Sequence, residues 1–218
     1  MAKIIFFSGL DGAGKSTQID ILKNHYLNQN KKVYYFWSRG GYTPGFQRLK
    51  NILRRSLKNK LPKSGKSPQR EKSFANPLIK RTWLIISILD LIFYYSIFLR
   101  IKLLLGYNII CDRFILDTNV DFSIAYPDEK FEDWLLWKIL LRCSIKPNHH
   151  FLLLINVKES MKRSLLKFEP FPDSFETLVK RLSYYEIYSK NTTKINTIWC
   201  NKSIDEVSKI ILKNINCS

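Results

Sequence analysis

Residues 9–16 read Gly9-Leu10-Asp11-Gly12-Ala13-Gly14-Lys15-Ser16, a complete G-x-x-x-x-G-K-S string directly behind the apolar run Lys3-Ile4-Ile5-Phe6-Phe7. The run is β-branched and aromatic, which favours a buried strand, and glycines then permit a tight turn. Thr17 to Leu27 is helix-forming. A strand–loop–helix of this kind converges backbone N–H groups and a helix N-terminus on a polyphosphate. Gly9, Gly12, Ala13 and Gly14 would cradle the phosphates. Lys15 would reach the β- and γ-phosphates, and Ser16 would offer its hydroxyl to Mg²⁺. With every fixed position filled in this context, a glycine turn without a ligand is the weaker reading.

The chain has 218 residues, 45% of them hydrophobic, which fits a single domain with a substantial core and excludes wholesale disorder. Cys111, Cys143, Cys200 and Cys217 form no C-x-x-C pair and have no metal-ligand spacing, so they read as reduced thiols of a cytoplasmic protein. The N-terminal apolar run is too short for a signal peptide. The formal net charge of +18 is unevenly placed, with twelve Lys or Arg and one acid, Glu71, between Arg48 and Arg81. This basic loop, about residues 48–81, reads as a solvated surface, or as attraction to a polyanionic acceptor or an anionic membrane surface. Nucleic acid is disfavoured, because no aromatic-interleaved binding motif accompanies the charge.

Five β-like runs, Lys3–Phe7, Lys32–Trp37, Asn108–Cys111, Phe151–Asn156 and Asn196–Cys200, alternate with helix-length segments such as Phe131–Arg142 and Ser174–Lys190. That alternation predicts an α/β fold: a three-layer P-loop nucleotide-binding architecture, its five-stranded parallel sheet covered by helices on both faces. Ligands of such sheets gather beyond the strand C-termini, which groups the loops after the first three strands around one crevice. Trp83–Tyr107 is almost continuously apolar, so a membrane-spanning helix has to be considered. Asp90 in its middle would cost roughly 2.5–3.5 kcal/mol at bilayer depth. The run also joins two strands of one sheet, which favours a buried or interface helix, with membrane-surface contact as the alternative.

Asn108-Ile109-Ile110-Cys111-Asp112-Arg113 is a buried strand ending in a carboxylate, placed to hold a metal-bound water beside the nucleotide. Phosphoryl transfer needs positive charge over the transferred group and an aligned acceptor. Arg39 and Arg113, each just past a strand, are the fixed cations best placed for it. Asp11 is costly among phosphates unless it serves the acceptor or the magnesium shell.

Phe7-Ser8-Gly9-Leu10-Asp11-Gly12-Ala13-Gly14-Lys15-Ser16-Thr17 resembles the phosphate loop of the thymidylate kinase family. Ser38-Arg39-Gly40-Gly41-Tyr42-Thr43-Pro44 is similar to that family's Arg-bearing Pro-Gly-Gly-Thr-Pro segment, and Cys111-Asp112-Arg113-Phe114 to its Asp-Arg-Tyr motif. Pro172-Asp173-Ser174-Phe175-Glu176 with Arg181 and Tyr184-Tyr185 looks like the end of its lid and the following helix, and Trp199–Val207 like its last strand and helix. The resemblance implies that Lys15, Ser16 and Thr17 bind ATP-Mg²⁺ and that Asp11, Arg39 and Arg113 handle the acceptor phosphate. It makes Asp112 and Glu176 candidates for the magnesium and acceptor shell. It implies a lid at about residues 162–172 carrying Lys162, Arg163 and Lys167, and a homodimer through the Trp83–Leu99 helix.

Two departures bear on the acceptor. Family members stack the thymine on a Phe and bind its edge with an Arg four residues later, and Ile86–Ile92 supplies neither. Asp117-Thr118-Asn119-Val120-Asp121 instead adds two carboxylates, which read as caps or turn acids, or as groups that orient or deprotonate an acceptor hydroxyl. The leading expectation is an ATP-dependent kinase acting on a nucleoside monophosphate, most plausibly a pyrimidine one such as dTMP. The alternatives are a kinase for a hydroxyl of a sugar-like or lipid-linked acceptor, and a nucleotide-dependent binding module peripheral to an anionic membrane.

Overall fold

The computed structural model describes residues 2–38, 43, 76–167 and 173–216. Its strands are β1 (Ile4–Gly9), β2 (Val33–Trp37), β3 (Asn108–Asp112), β4 (His149–Leu154) and β5 (Asn196–Trp199). The α-helices are α1 (Lys15–Leu27), α2 (Pro77–Phe93), α3 (Leu99–Leu104), α4 (Ile115–Ala125), α5 (Leu135–Cys143), α6 (Val157–Leu166), α7 (Phe175–Asn191) and α8 (Ile204–Asn216). The chain divides into two compact units, Met1–Ser38 with Leu99–Glu129 and Lys146–Ser218, and Arg39–Phe98 with Lys130–Ile145.

The first unit holds the whole sheet, all parallel in the order β2-β3-β1-β4-β5. Burial explains that order. Every residue of β1, β3 and β4 is buried, as continuous apolar strands covered on both faces must be, whereas β2 and β5 expose part of their length at the edges. Register then sets the crevice. Phe7 lies opposite Asp112, and Gly9 opposite Leu153, so β1 and β3 end side by side. The chain passes from β1 through β2 and β3 on one flank to β4 on the other, which makes their C-terminal ends the switch point of the sheet. Ile5, Phe7, Ile110, Val120, Phe151 and Tyr185 are among the core residues. Helix α8 adds Val207, Ile211 and Ile215 at helical spacing, and Ser208 Oγ donates to Gln18 of α1 at 2.8 Å.

In the second unit, α2 begins where Asn76 accepts the Leu78 N–H at 2.9 Å and Pro77 takes the first helical position. A π-helical turn, Tyr94–Phe98, follows, and its Tyr95 carbonyl accepts the Ile145 N–H at 2.9 Å. Leu84, Ile88, Leu91 and Tyr95 are buried, while Ile85, Leu89, Phe93 and Ile97 are exposed. Asp90 accepts a hydrogen bond from the Thr43 hydroxyl. The helical run Pro77–Leu104 is long and apolar enough to cross a membrane by composition, but it leads straight into β3 of the sheet. The helix expected from Phe131 starts at Leu135 instead. Phe131–Asp133 is a 3₁₀ turn, with Phe131 buried edge-on against Trp137 at 4.9 Å and Trp134 extended between them.

Candidate active site

Local backbone geometry shapes the phosphate loop. Gly14 adopts φ 89° at the start of α1, and no side chain caps the helix there, which leaves the first-turn N–H groups to a ligand. Gly9 sits at φ 131°, where a Cβ would fall 1.9 Å from the Leu153 carbonyl oxygen, so the close approach of the end of β1 to β4 demands glycine. Lys15 is buried, and its Nζ donates to the Gly9 carbonyl at 2.9 Å and the Leu10 carbonyl at 2.7 Å. Burial, with Arg113 nearby, pulls its pKa below the usual lysine value against the pull of Asp11. Ser16 and Thr17 are exposed at the mouth of α1. Helix α6 braces the loop from one side, since Ser160 Oγ donates to the Asp11 carbonyl at 2.6 Å and Arg163 Nη1 to the Gly12 carbonyl at 3.2 Å.

Asp112 closes β3 as expected. It is 6% exposed, its Oδ2 accepts from Tyr35 Oη at 3.2 Å, and its Oδ1 is buried with no hydrogen-bond partner among the described residues. Burial raises its pKa, opposed by Lys15 and Arg113. An orphaned buried carboxylate oxygen is the observation that tests a magnesium site, and it fits one. One carboxylate and one hydroxyl suit Mg²⁺, which takes phosphate and water oxygens for the rest of its shell.

Arg113 follows at φ 73°, a left-handed backbone that non-glycine residues rarely adopt. Its Nη2 donates to Asp11 and its Nη1 lies 3.5 Å from Asp117 Oδ1. Burial opposes the charge, but Asp11 and Asp117 outweigh it and hold the guanidinium pKa well above its ordinary value. Of the two readings of Asp117, the cap is the one seen, since its carboxylate accepts the Phe114 N–H at the start of α4. Asp117 is 1% exposed, and both oxygens are engaged by donors of the surrounding core. Asp121 is also turned away from a free role, accepting from Arg181 Nη1, whose Nε binds Asp173 at 2.6 Å. Glu176 is exposed in the first turn of α7 and does not join these groups. Lys162 and Arg163 belong to α6, which runs to Leu166, and Lys167 is its exposed C-cap. Arg163 meets Glu159 at 2.8 Å as well as the loop. Arg39, and the rest of the expected lid at 168–172, lie outside the described residues, as does most of the basic segment, 44–75.

Sequence reasoning missed Ser8, Tyr35 and Ser160 in this site, and it set His150 aside as a capping or packing residue. His150 does pack edge-on against the adjoining rings of Phe6 and Phe114, but its Nε2 also lies 2.8 Å from Ser8 Oγ. The only sequence signal for this pair is period-two alternation, which puts Ser8 and His150 on sheet faces without saying which face they share.

A five-stranded parallel sheet, a phosphate loop at its switch point and an acid–arginine pair on the neighbouring strand end define a P-loop phosphotransferase. The thymidylate kinase family model matches residues 7–211. A probable thymidylate kinase of Methanocaldococcus jannaschii is 30% identical over 223 residues, covering 97% of this chain and 96% of that protein. The chain belongs to the thymidylate kinase family, and with it to the ATP-dependent kinases of the nucleoside monophosphate type.

Proposed function

We propose that this protein transfers the γ-phosphoryl group of ATP to dTMP. The observation that carries the reading is the adjacency of Lys15, Asp112 and Arg113 at the ends of β1 and β3, in a chain that matches the family almost from end to end. Lys15 exchanges its two loop carbonyls for β- and γ-phosphate oxygens, and the N–H groups of Gly12 to Ser16 hold the same phosphates. Arg113, oriented by Asp11, sets positive charge over the transferred group and the acceptor phosphate, with Arg39 as the second cation of that role. Ser16 and Asp112 would hold Mg²⁺, which would supply charge neutralisation to the phosphates during transfer. Arg163, braced on Gly12, serves the nucleotide side of the closing segment together with Lys167.

The buried free thiols of Cys111 and Cys200 support a reducing, cytoplasmic setting. The exposed row Ile85, Leu89, Phe93 and Ile97 supports a homodimer, which sedimentation velocity would measure. A coupled ADP-release assay with dTMP, dUMP, UMP, CMP and a panel of sugars and sugar phosphates tests the acceptor. The highest kcat/KM is expected on dTMP, and faster turnover on a sugar hydroxyl would overturn the assignment. Ser87 and Leu91 are both fully buried in the stretch that lacks the thymine-reading pair, so the comparison of dTMP with dUMP is its most informative arm.

A further inference from the structure

Asp117 stands at the first turn of α4, yet it serves four elements at once. Its Oδ2 accepts from Ser8 Oγ at 2.5 Å and from the Phe114 N–H at 3.1 Å. Its Oδ1 accepts from the Gly9 N–H at 3.2 Å and from Tyr185 Oη at 2.8 Å, with Arg113 Nη1 at 3.5 Å. These donors belong to the end of β1, the end of β3, the start of α4 and the middle of α7. Ser8 spends its one hydroxyl proton on Asp117, so its oxygen accepts from His150 Nε2–H, and the ring is neutral with the proton on that nitrogen. A carboxylate with this many donors has no lone pair left for a substrate proton, which rules out a general base at this position.

We propose that Asp117 is a positioning residue for phosphoryl transfer, one that holds Arg113 in its left-handed conformation and pins the entry of the phosphate loop at Ser8 and Gly9. The inference rests on the roles given above to Arg113 and the loop. Backbone in that region is unfavourable for a non-glycine residue, and it persists only where surrounding contacts over-determine it. For Arg113 those contacts are its N–H on the Phe7 carbonyl at 2.8 Å and its guanidinium shared between Asp11 and Asp117. Gly9 is fixed in the same way, with its N–H on Asp117, its carbonyl on Lys15 and its Cα against Leu153. One buried carboxylate therefore sets the relative position of the cation and the loop. Displacements near one ångström in such a site are enough to slow the chemical step about 100-fold.

Asparagine at this position is isosteric but offers one acceptor oxygen and an NH₂ that faces donors. Asp117→Asn, Arg113→Ala and the double variant would be compared with the full-length wild type by ADP release, using the acceptor that turns over fastest in the screen, well below each melting transition. The expected result for Asp117→Asn is a kcat lower by at least about tenfold with the ATP KM held within about threefold. The double variant should lose less than the product of the two single losses, because part of the Asp117 effect runs through Arg113. A cooperatively melting Asp117→Asn protein with kcat within about twofold of wild type overturns the proposal, and so do losses that multiply in the double variant. Should Asp117→Asn fail to fold, Tyr185→Phe removes a single donor from the same carboxylate. Its kcat loss should shrink in the Arg113→Ala background, and an equal loss in both backgrounds overturns the proposal. Wild type inactive on every acceptor defeats the kinase reading itself, whereas an active wild type with an indifferent Asp117→Asn defeats only this inference.

Discussion

Arg113 at the end of β3 donates through Nη2 to the carboxylate of Asp11 in the phosphate loop, a contact between residues 102 positions apart in the chain. The two sit on neighbouring strand ends because β1 and β3 pair in register up to Phe7 and Asp112. The pair ties the end of β3 to the phosphate loop, and it keeps a buried guanidinium compensated.

Removing that guanidinium should strike the transition state harder than ground-state binding of ATP. Arg113→Ala is expected to lower kcat on the best acceptor by about 100- to 1000-fold, as loss of a preorganised electrostatic contact does. Arg113→Lys should recover little, since a point charge cannot reproduce the fork that spans Asp11 and Asp117. Steady-state kinetics with both substrates varied decides it. A tenfold rise in the ATP KM at unchanged kcat would place Arg113 in nucleotide binding instead.

Asp112 is expected to show opposite effects on stability and activity. Burial raises its folded pKa, so the charged form costs stability at pH values above that pKa. Asp112→Asn removes the charge and leaves an oxygen for the Tyr35 hydroxyl, so the melting temperature should hold or rise. Turnover should fall by about 100-fold or more, because the orphaned Oδ1 is the carboxylate oxygen available to magnesium. Thermal melts beside a magnesium titration of activity measure both, and full activity in this variant would remove Asp112 from the metal site.

The loop glycines should separate by surroundings rather than by motif. A Cβ on Gly9 would collide with the Leu153 carbonyl at 1.9 Å, between two central strands that cannot part cheaply. Gly9→Ala should therefore destabilise by more than about 4 kcal/mol or fail to fold. Gly14 has φ 89° and nothing within 4 Å of a built Cβ, so Gly14→Ala should cost only about 1–2 kcal/mol, the price of its backbone alone. Urea denaturation of the two variants provides the comparison, and equal losses would contradict it.

What the sequence made legible follows from how local each signal is. The five strands and the glycine loop announce themselves in continuous apolar runs and fixed spacings, and all five strands lie within a few residues of their expected bounds. The place of Asp112 at a strand end was readable because the apolar run before it marks the strand. Which of its two readings Asp117 takes was not readable, for the opposite reason. Its role depends on Ser8, Gly9 and Tyr185, brought to it by strand pairing and the packing of α7, and nothing in Asp117-Thr118-Asn119 encodes those neighbours. Phe131–Asp133 failed as a helix start because one buried ring contact outweighed helical spacing.

His150 carries the pH dependence that this packing implies. Buried edge-on against Phe6 and Phe114, it has its pKa pulled down to about 4, with burial the main cause and Asp117 opposing it. The unfolded ring titrates near 6.5, so between pH 6.5 and 4 the unfolded chain binds a proton that the folded chain refuses. Stability from this group is fully present above pH 6.5 and falls as the pH drops toward 4, by about 3 kcal/mol across the window. Below pH 4 both states are protonated and the contribution levels off. His150→Gln removes the titration and keeps an N–H for Ser8 Oγ, so its urea-denaturation midpoint should change less over the same range while the wild type declines. Parallel slopes for the two proteins would show that acid sensitivity resides in the carboxylates instead, with His150 a packing residue alone.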